Sequence, residues 1–267
     1  LSYAAGADLS VDIYKRTLYQ DYETHLSRNS SEIINGIVYK TNAVISGVLF
    51  PTLTLISQSI ILLSIVIILF LINFTVALSV SIGFGIFYLT IIGYTKAQLE
   101  RNSVSVANKS TQMIKSLQEG LGGIRDVIIG NCQKFYCRLY RDADIPLRRA
   151  LGDNVFISGS PKYLIEAIGM IIIVFIAYLL TQNEGGMIGA LPTLGAIALG
   201  GQKLLPASQQ VYSTYSTIKG TTKSLDDVVM LLEQPLPKNI NTISPLSVAF
   251  NNGIKLENLS FRYTQDS

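Results

Sequence analysis

The most informative feature of the chain is where charge is missing. From Thr41 to Thr95, 55 consecutive residues carry no charged side chain. One membrane-spanning helix needs about 20 predominantly apolar residues. The stretch therefore predicts two spans and a turn at Leu71-Ile72-Asn73-Phe74-Thr75, where Asn73 interrupts the apolar runs. A second apolar region, Tyr163 to Leu205, is broken at Thr181-Gln182-Asn183-Glu184-Gly185-Gly186 and predicts two more spans. Between these regions, Val104, Ala107, Thr111, Ile114, Leu117 and Leu121 recur at three- and four-residue steps, the spacing of one helix face. Nothing interrupts that pattern near Lys96. The second membrane helix is therefore expected to leave the bilayer and run from about Thr75 to Leu121, roughly 70 Å at 1.5 Å per residue.

The polar punctuation is equally regular. Gly122-Gly123 is expected to break the long helix, with helix resuming over Val127 to Asp144. An earlier copy of this arrangement lies at Tyr22 to Arg28, followed by Asn29-Ser30-Ser31-Glu32, a helix start of capping-box type leading into Ile33, Ile34 and Ile37. Ser160-Pro161 reads as an N-cap and first-turn proline for the third span. The last span is expected from near Pro192 to about Thr217, followed by a short amphipathic helix, Leu225 to Glu233, that Gln234-Pro235-Leu236-Pro237 ends. Residues 236–252 read as a linker. Ile254 to Tyr263 alternates in a strand-like way, the opening of a second domain at 253–267.

Charge fixes the orientation. Segment 1–40 holds four of the 21 Lys and Arg residues, segment 96–162 holds eleven, and the six others follow residue 200; the two short turns between paired spans hold none. Cytoplasmic loops carry the excess of these residues, so both ends of the chain and its central segment are placed in the cytoplasm, in a multi-pass protein of the plasma (inner) membrane. At 15% charged residues the chain is also well below the roughly 25% of an ordinary soluble domain. The net charge of +3 includes no basic stripe interleaved with aromatics, so no nucleic-acid partner is indicated. Two cysteines and one histidine give no metal site: Cys132 and Cys137 read as reduced thiols, and His25 as a surface residue.

In this order the parts resemble the exporter-type transmembrane domain of ATP-binding-cassette (ABC) transporters. Tyr22 to Ile37 is similar to the family's first intracellular loop, Gly122 to Gln133 to the second, Leu225 to Pro235 to the helix leaving the last span, and Ile254 to Tyr263 to the first strand of the nucleotide-binding domain. The resemblance implies an all-α membrane fold of long transmembrane helices extended into the cytoplasm. It assigns 1–235 to a transmembrane domain lacking the family's first span and most of its second, 236–252 to the linker, and 253–267 to the truncated start of an α/β nucleotide-binding domain. It further implies that Tyr22, Arg28, Gly123, Arg125 and Asp126 sit in turns docking on that domain, and that Tyr263 stacks on adenine. ATP with Mg is implied for the full-length protein, and a second copy of the chain or a related half-transporter as partner. The chain holds neither a Gly-x-x-x-x-Gly-Lys-Ser/Thr phosphate loop nor a Leu-Ser-Gly-Gly-Gln signature, so it cannot hydrolyse ATP alone.

Within the family, Ser27 to Ile34 and Lys203-Leu204-Leu205-Pro206 look most like the bacterial branch that flips lipid-linked oligosaccharides or exports polysaccharide. The expected function is outward movement of a lipid-linked or amphipathic substrate by alternating access. Gln202, Gln209, Ser213 and Ser216 fall on one helix face, and with Lys203 they form the candidate substrate path; the competing reading is a helix already solvated in cytoplasm. The alternative function is a secondary transporter, or a structural membrane protein without a nucleotide-binding domain. A secondary transporter calls for ionisable groups deep in the bilayer, and only Glu166 and Lys203 approach that position.

Overall fold

The computed structural model describes residues 2–72, 74–181 and 186–236, together with 253, 255 and 257–260. Its described elements are helical. They are α1 (Ser2–Leu18), α2 (Tyr22–Ser27), α3 (Ser30–Ile34), a π-helical segment π1 (Asn35–Lys40), α4 (Thr41–Val44), a second π-helical segment π2 (Ile45–Leu49), α5 (Phe50–Ile72), α6 (Phe74–Gly122), α7 (Ile124–Ile129), α8 (Gln133–Gly159), α9 (Pro161–Thr181) and α10 (Gly186–Leu232).

The apolar sequence runs become helices that keep their side chains on the outside. Ile60, Leu63, Ile67 and Ile68 on α5, and Ile171, Val174 and Phe175 on α9, are all exposed. Surfaces this apolar are stable facing lipid and not water. Among the described residues, one helical run, Ser30–Leu71, is long and apolar enough to cross a membrane by length and composition. The other three expected spans fall in α6, α9 and α10, each of which includes side chains outside the described residues.

α6 is a single helix of 49 residues, as its uninterrupted apolar spacing predicts. Beyond it the structure departs from expectation. Helix resumes at once as α7, three residues before Val127, and stops at Gly130. Asn131 takes a left-handed φ of 52°, while the Cys132 N–H donates to the Val127 carbonyl at 2.9 Å and the Asn131 N–H to the Ile128 carbonyl at 3.2 Å. This is a Schellman closure, with asparagine in the place usually held by glycine. α8 then runs past Asp144 to Gly159 with Pro146 inside it. Ser160 is not an N-cap: its φ and ψ of −62° and −34° are helical and its N–H donates to Phe156, so α8 passes almost directly into α9. The short helix expected at Leu225 to Glu233 is no separate element either, because α10 continues for 47 residues through Pro192, Pro206 and Thr217. In the C-terminal segment no described residue forms a strand. Lys255 pairs with Glu257, and Asn258 has a φ of 52°, which strand backbone does not adopt. Ile254, Leu256 and residues 261–263 of the expected strand lie outside the described residues.

The buried apolar core joins distant parts of the chain. Ile13, Val44 and Val228 are buried together, with Leu9, Ile37, Val48, Leu225 and Leu231 packed around them. The Arg16 guanidinium donates to the Gln234 carbonyl at 3.1 Å and the Gln20 amide to the Pro235 carbonyl at 2.9 Å, so α1 clasps the exit of α10. Gly47 allows π2 to approach α10: a Cβ there would lie 2.5 Å from Thr221 Oγ1 and 3.1 Å from its Cβ.

Candidate functional site: a tyrosine-lined pocket and its levers

α5, α6 and α10 enclose a pocket of about 440 Å³, within the range of about 300–1,000 Å³ that holds small organic ligands. α10 contributes Leu204, Ser208, Val211 and Tyr215 at steps of four, three and four residues, one continuous helix face. Leu62 and Val66 of α5 and Ile92 of α6 complete an apolar wall, and among the described residues no charged side chain lines it. The polar groups are hydroxyls. The rings of Tyr88 and Tyr212 lie 5.8 Å apart at 40°. Tyr212, 1% exposed, donates to the Ile157 carbonyl on α8 at 3.2 Å and lies 3.3 Å from Thr95 Oγ1. The Tyr88 hydroxyl is buried without a partner, which leaves a donor facing an apolar site.

The pocket sits on long stiff elements. From Tyr88 to the end of α6 at Gly122 the helix advances about 50 Å, and from Tyr212 to the end of α10 at Leu232 about 30 Å. The far ends carry the candidate coupling residues. Tyr22 is 64% exposed on α2, Arg28 is exposed just after it, Arg125 and Asp126 are exposed on α7, and Gly123 is half-buried at the break. Asn29 starts the returning helix by accepting from the Ser31 N–H at 2.9 Å. Ser31 Oγ in turn donates to Gln118 Oε1 at 2.5 Å, which puts the bases of both turns side by side. A helix turn that ends exposed, with its backbone already satisfied, can meet another domain without cost to its own fold.

A second polar centre lies where π1 meets α10. Lys40 Nζ is 2.5 Å from Asp227 Oδ2, and Lys223 Nζ is 2.9 Å from Asp227 Oδ1. Burial alone raises the Asp227 carboxyl, but the hydrogen bonds and charges of Lys40 and Lys223 outweigh it and hold the group below its ordinary value. The Thr41 hydroxyl donates to the Gly36 carbonyl at 2.9 Å across the π turn that presents Lys40.

The sequence-based path residues stand elsewhere. Gln202 and Lys203 are exposed, Gln209 is half-buried, and none of the three lines the pocket. Glu166 is exposed too, and no ion pair joins it to Lys203. Tyr88, Tyr212 and Tyr215 escaped sequence reasoning; their only signal was a tyrosine hydroxyl recurring within apolar or weakly polar helix. Tyr263 lies outside the described residues. No cluster that could hold a metal occurs among the described residues, and Cys132 and Cys137 are free and exposed.

Residues 3–186, more than half of the chain, match the family described as the ABC transporter transmembrane region. The chain belongs to that family. Among solved structures, this transmembrane domain is similar to a bacterial Atm1-family ABC exporter with ATP bound, with a TM-score of 0.68 over 88% of the chain at 15% identity. At that identity the likeness is one of fold. The chain spans 41% of the length of that exporter.

Proposed function

We propose that the chain is the transmembrane half of an ATP-driven exporter that moves a lipid-linked or amphipathic substrate outward by alternating access. The observation that carries the reading is the continuity of α6, a single helix holding Tyr88 in an apolar pocket and ending at the exposed turn with Arg125 and Asp126. Force applied at that turn reaches the pocket without crossing a joint. In this reading ATP and Mg belong to a nucleotide-binding domain, and Tyr263 is the residue of this chain assigned to adenine. The working unit pairs the chain with a second copy or a related half-transporter. In this reading it lies in the plasma (inner) membrane, and the Lys and Arg distribution supports placing both ends of the chain in the cytoplasm. Gln202, Lys203 and Gln209 then meet the polar or anionic part of the substrate, outside the apolar pocket.

The test uses the full-length protein in proteoliposomes. Arg125→Ala combined with Asp126→Ala is expected to leave insertion and basal ATP hydrolysis in place while abolishing substrate-stimulated hydrolysis and outward movement of a fluorescent amphipathic lipid. Unchanged stimulation and transport in the double variant refute the reading.

A further inference from the structure

The tyrosine-lined pocket is apolar along its length but charged at one end. On α6 its wall steps through Ser81, Gly85, Tyr88 and Ile92, and the next position on that face is Lys96, about 6 Å further along the helix. On α10 the wall reaches Tyr215, and the next position on that face is Lys219. Lys219 Nζ lies 3.6 Å from Glu100 Oε1, one turn of α6 beyond Lys96, so this pair bridges the two helices at the same end of the pocket. Lys96 is exposed, and among the described residues no carboxylate pairs with it. Two lysines against one glutamate leave this mouth net positive.

The mouth stands at headgroup depth. Lys96 closes the uncharged stretch from Thr41 to Thr95, and nearby Tyr94 is 83% exposed, an amphipathic ring of the kind that collects at the membrane interface. In the proposed orientation this is the cytoplasmic interface, where the leaflet is negatively charged. Further in, the cavity wall is continuous with the lipid-facing surface, since Leu63 lines the pocket while 59% exposed. An apolar cavity left empty forfeits the dispersion contacts of its lining. In a bilayer the filler at hand is an acyl chain, and about 440 Å³ suits one chain rather than a whole lipid. Gly85 keeps that room open: a Cβ there would meet nothing within 4 Å.

From this alignment of an apolar cavity with a cationic mouth we infer that the pocket is a binding site for an anionic phospholipid of the cytoplasmic leaflet. One acyl chain fills the cavity between α5, α6 and α10, and the phosphate rests against Lys96 with Lys219 beside it. The lipid is held and not carried: the substrate path proposed above runs along Gln202, Lys203 and Gln209, none of which lines the pocket. The site thus goes beyond the exporter reading and takes from it only the orientation of the chain in the membrane. A lipid seated among three helices stabilises their packing for as long as it is present.

The experiment uses the full-length protein, washed free of loosely held lipid in detergent and titrated with phosphatidylglycerol or phosphatidylcholine bearing a photoactivatable diazirine in one acyl chain. Native mass spectrometry counts the lipids bound, and photolabelling places their tails. Without nucleotide, labelled peptides are expected from the pocket walls, with phosphatidylglycerol favoured about fivefold, the weight of one lysine at an anionic surface. Lys96→Gln is expected to erase that preference while the tail stays in place. Gly85→Leu fills the cavity without meeting a neighbour and replaces glycine by a better helix former, so it is expected to fold and to cut pocket labelling by both lipids at least tenfold. Gly93→Leu, equally unobstructed but outside the pocket, is expected to change nothing. Wild-type labelling in Gly85→Leu, or a preference for phosphatidylglycerol that is absent in wild type or unchanged in Lys96→Gln, overturns the site. Labelling lost during MgATP turnover identifies a carried substrate and overturns the resident lipid. A protein without ATP-driven transport that keeps the labelling pattern retains the site and fails only the exporter reading.

Discussion

Removing the Asp227 carboxylate should weaken the protein more than removing the Lys40 ammonium that it binds. Asp227 accepts from Lys40 at 2.5 Å and from Lys223 at 2.9 Å, and the Lys40 side chain is only 12% exposed against 35% for Lys223. Breaking a fully buried ion pair costs about 3–5 kcal/mol, while an exposed pair contributes at most about 1 kcal/mol. With Asp227 itself 19% exposed, Asp227→Leu is expected to cost about 2–3 kcal/mol, nearly all of it from leaving Lys40 buried and unpaired. Lys40→Met should cost about 1 kcal/mol, because Asp227 keeps Lys223 and methionine keeps the packing of the aliphatic stem. The double variant Lys40→Met/Asp227→Leu should lie close to wild type, since replacing a whole buried pair by apolar residues is about neutral. Thermal midpoints of the full-length protein in lipid nanodiscs give the order directly: Asp227→Leu lowest, Lys40→Met between, the double variant highest of the three. An additive double variant, or Lys40→Met below Asp227→Leu, refutes the reasoning. The pH dependence follows the sign of the shift. The folded-state pKa of Asp227 is lowered from 3.8, so its contribution is complete above that value and is lost as the pH falls through the lower, folded value.

Two further outcomes follow. Gly47→Val should destabilise the protein by about 1–3 kcal/mol, because the new side chain meets Thr221 on α10 and must push π2 outward; a midpoint equal to wild type would show that π2 and α10 are not so closely apposed. In a background with Cys132→Ser and Cys137→Ser, Leu71→Cys should react with an impermeant thiol reagent added outside intact cells and Asn108→Cys should not; labelling of Asn108→Cys reverses the proposed orientation.

How much the sequence disclosed depended on the range of the interaction involved. The hairpin of α5 and α6, and the glycine break that ends α6, rest on local apolar run length and local turn chemistry, and both stood in the sequence at the residues where the structure has them. The closure of α7 was missed because Asn131 performs a task usually marked by glycine. The π turns at Asn35–Lys40 and Ile45–Leu49 had no local signal. What accompanies them is remote: Lys40 binds a partner 187 residues away, and Gly47 lies against Thr221. A propensity argument over ten or fifteen residues cannot contain such contacts.

The pocket was hidden for a different reason, which is particular to membranes. In a soluble helix the apolar stripe identifies the packed face, because water claims the opposite one. In α10 the surrounding lipid is as apolar as the neighbouring helices, so apolarity marks neither face. Choosing a polar face by helical spacing led to Gln202, Gln209, Ser213 and Ser216, whereas the cavity opens on Leu204, Ser208, Val211 and Tyr215. What distinguishes the cavity wall from a lipid-facing wall is the small set of hydroxyls that need a partner. Tyr212 satisfies its own through Ile157, and Tyr88 does not. An unmatched donor costs more in hydrocarbon than in water. The unmatched Tyr88 hydroxyl therefore marks the cavity wall where apolarity does not.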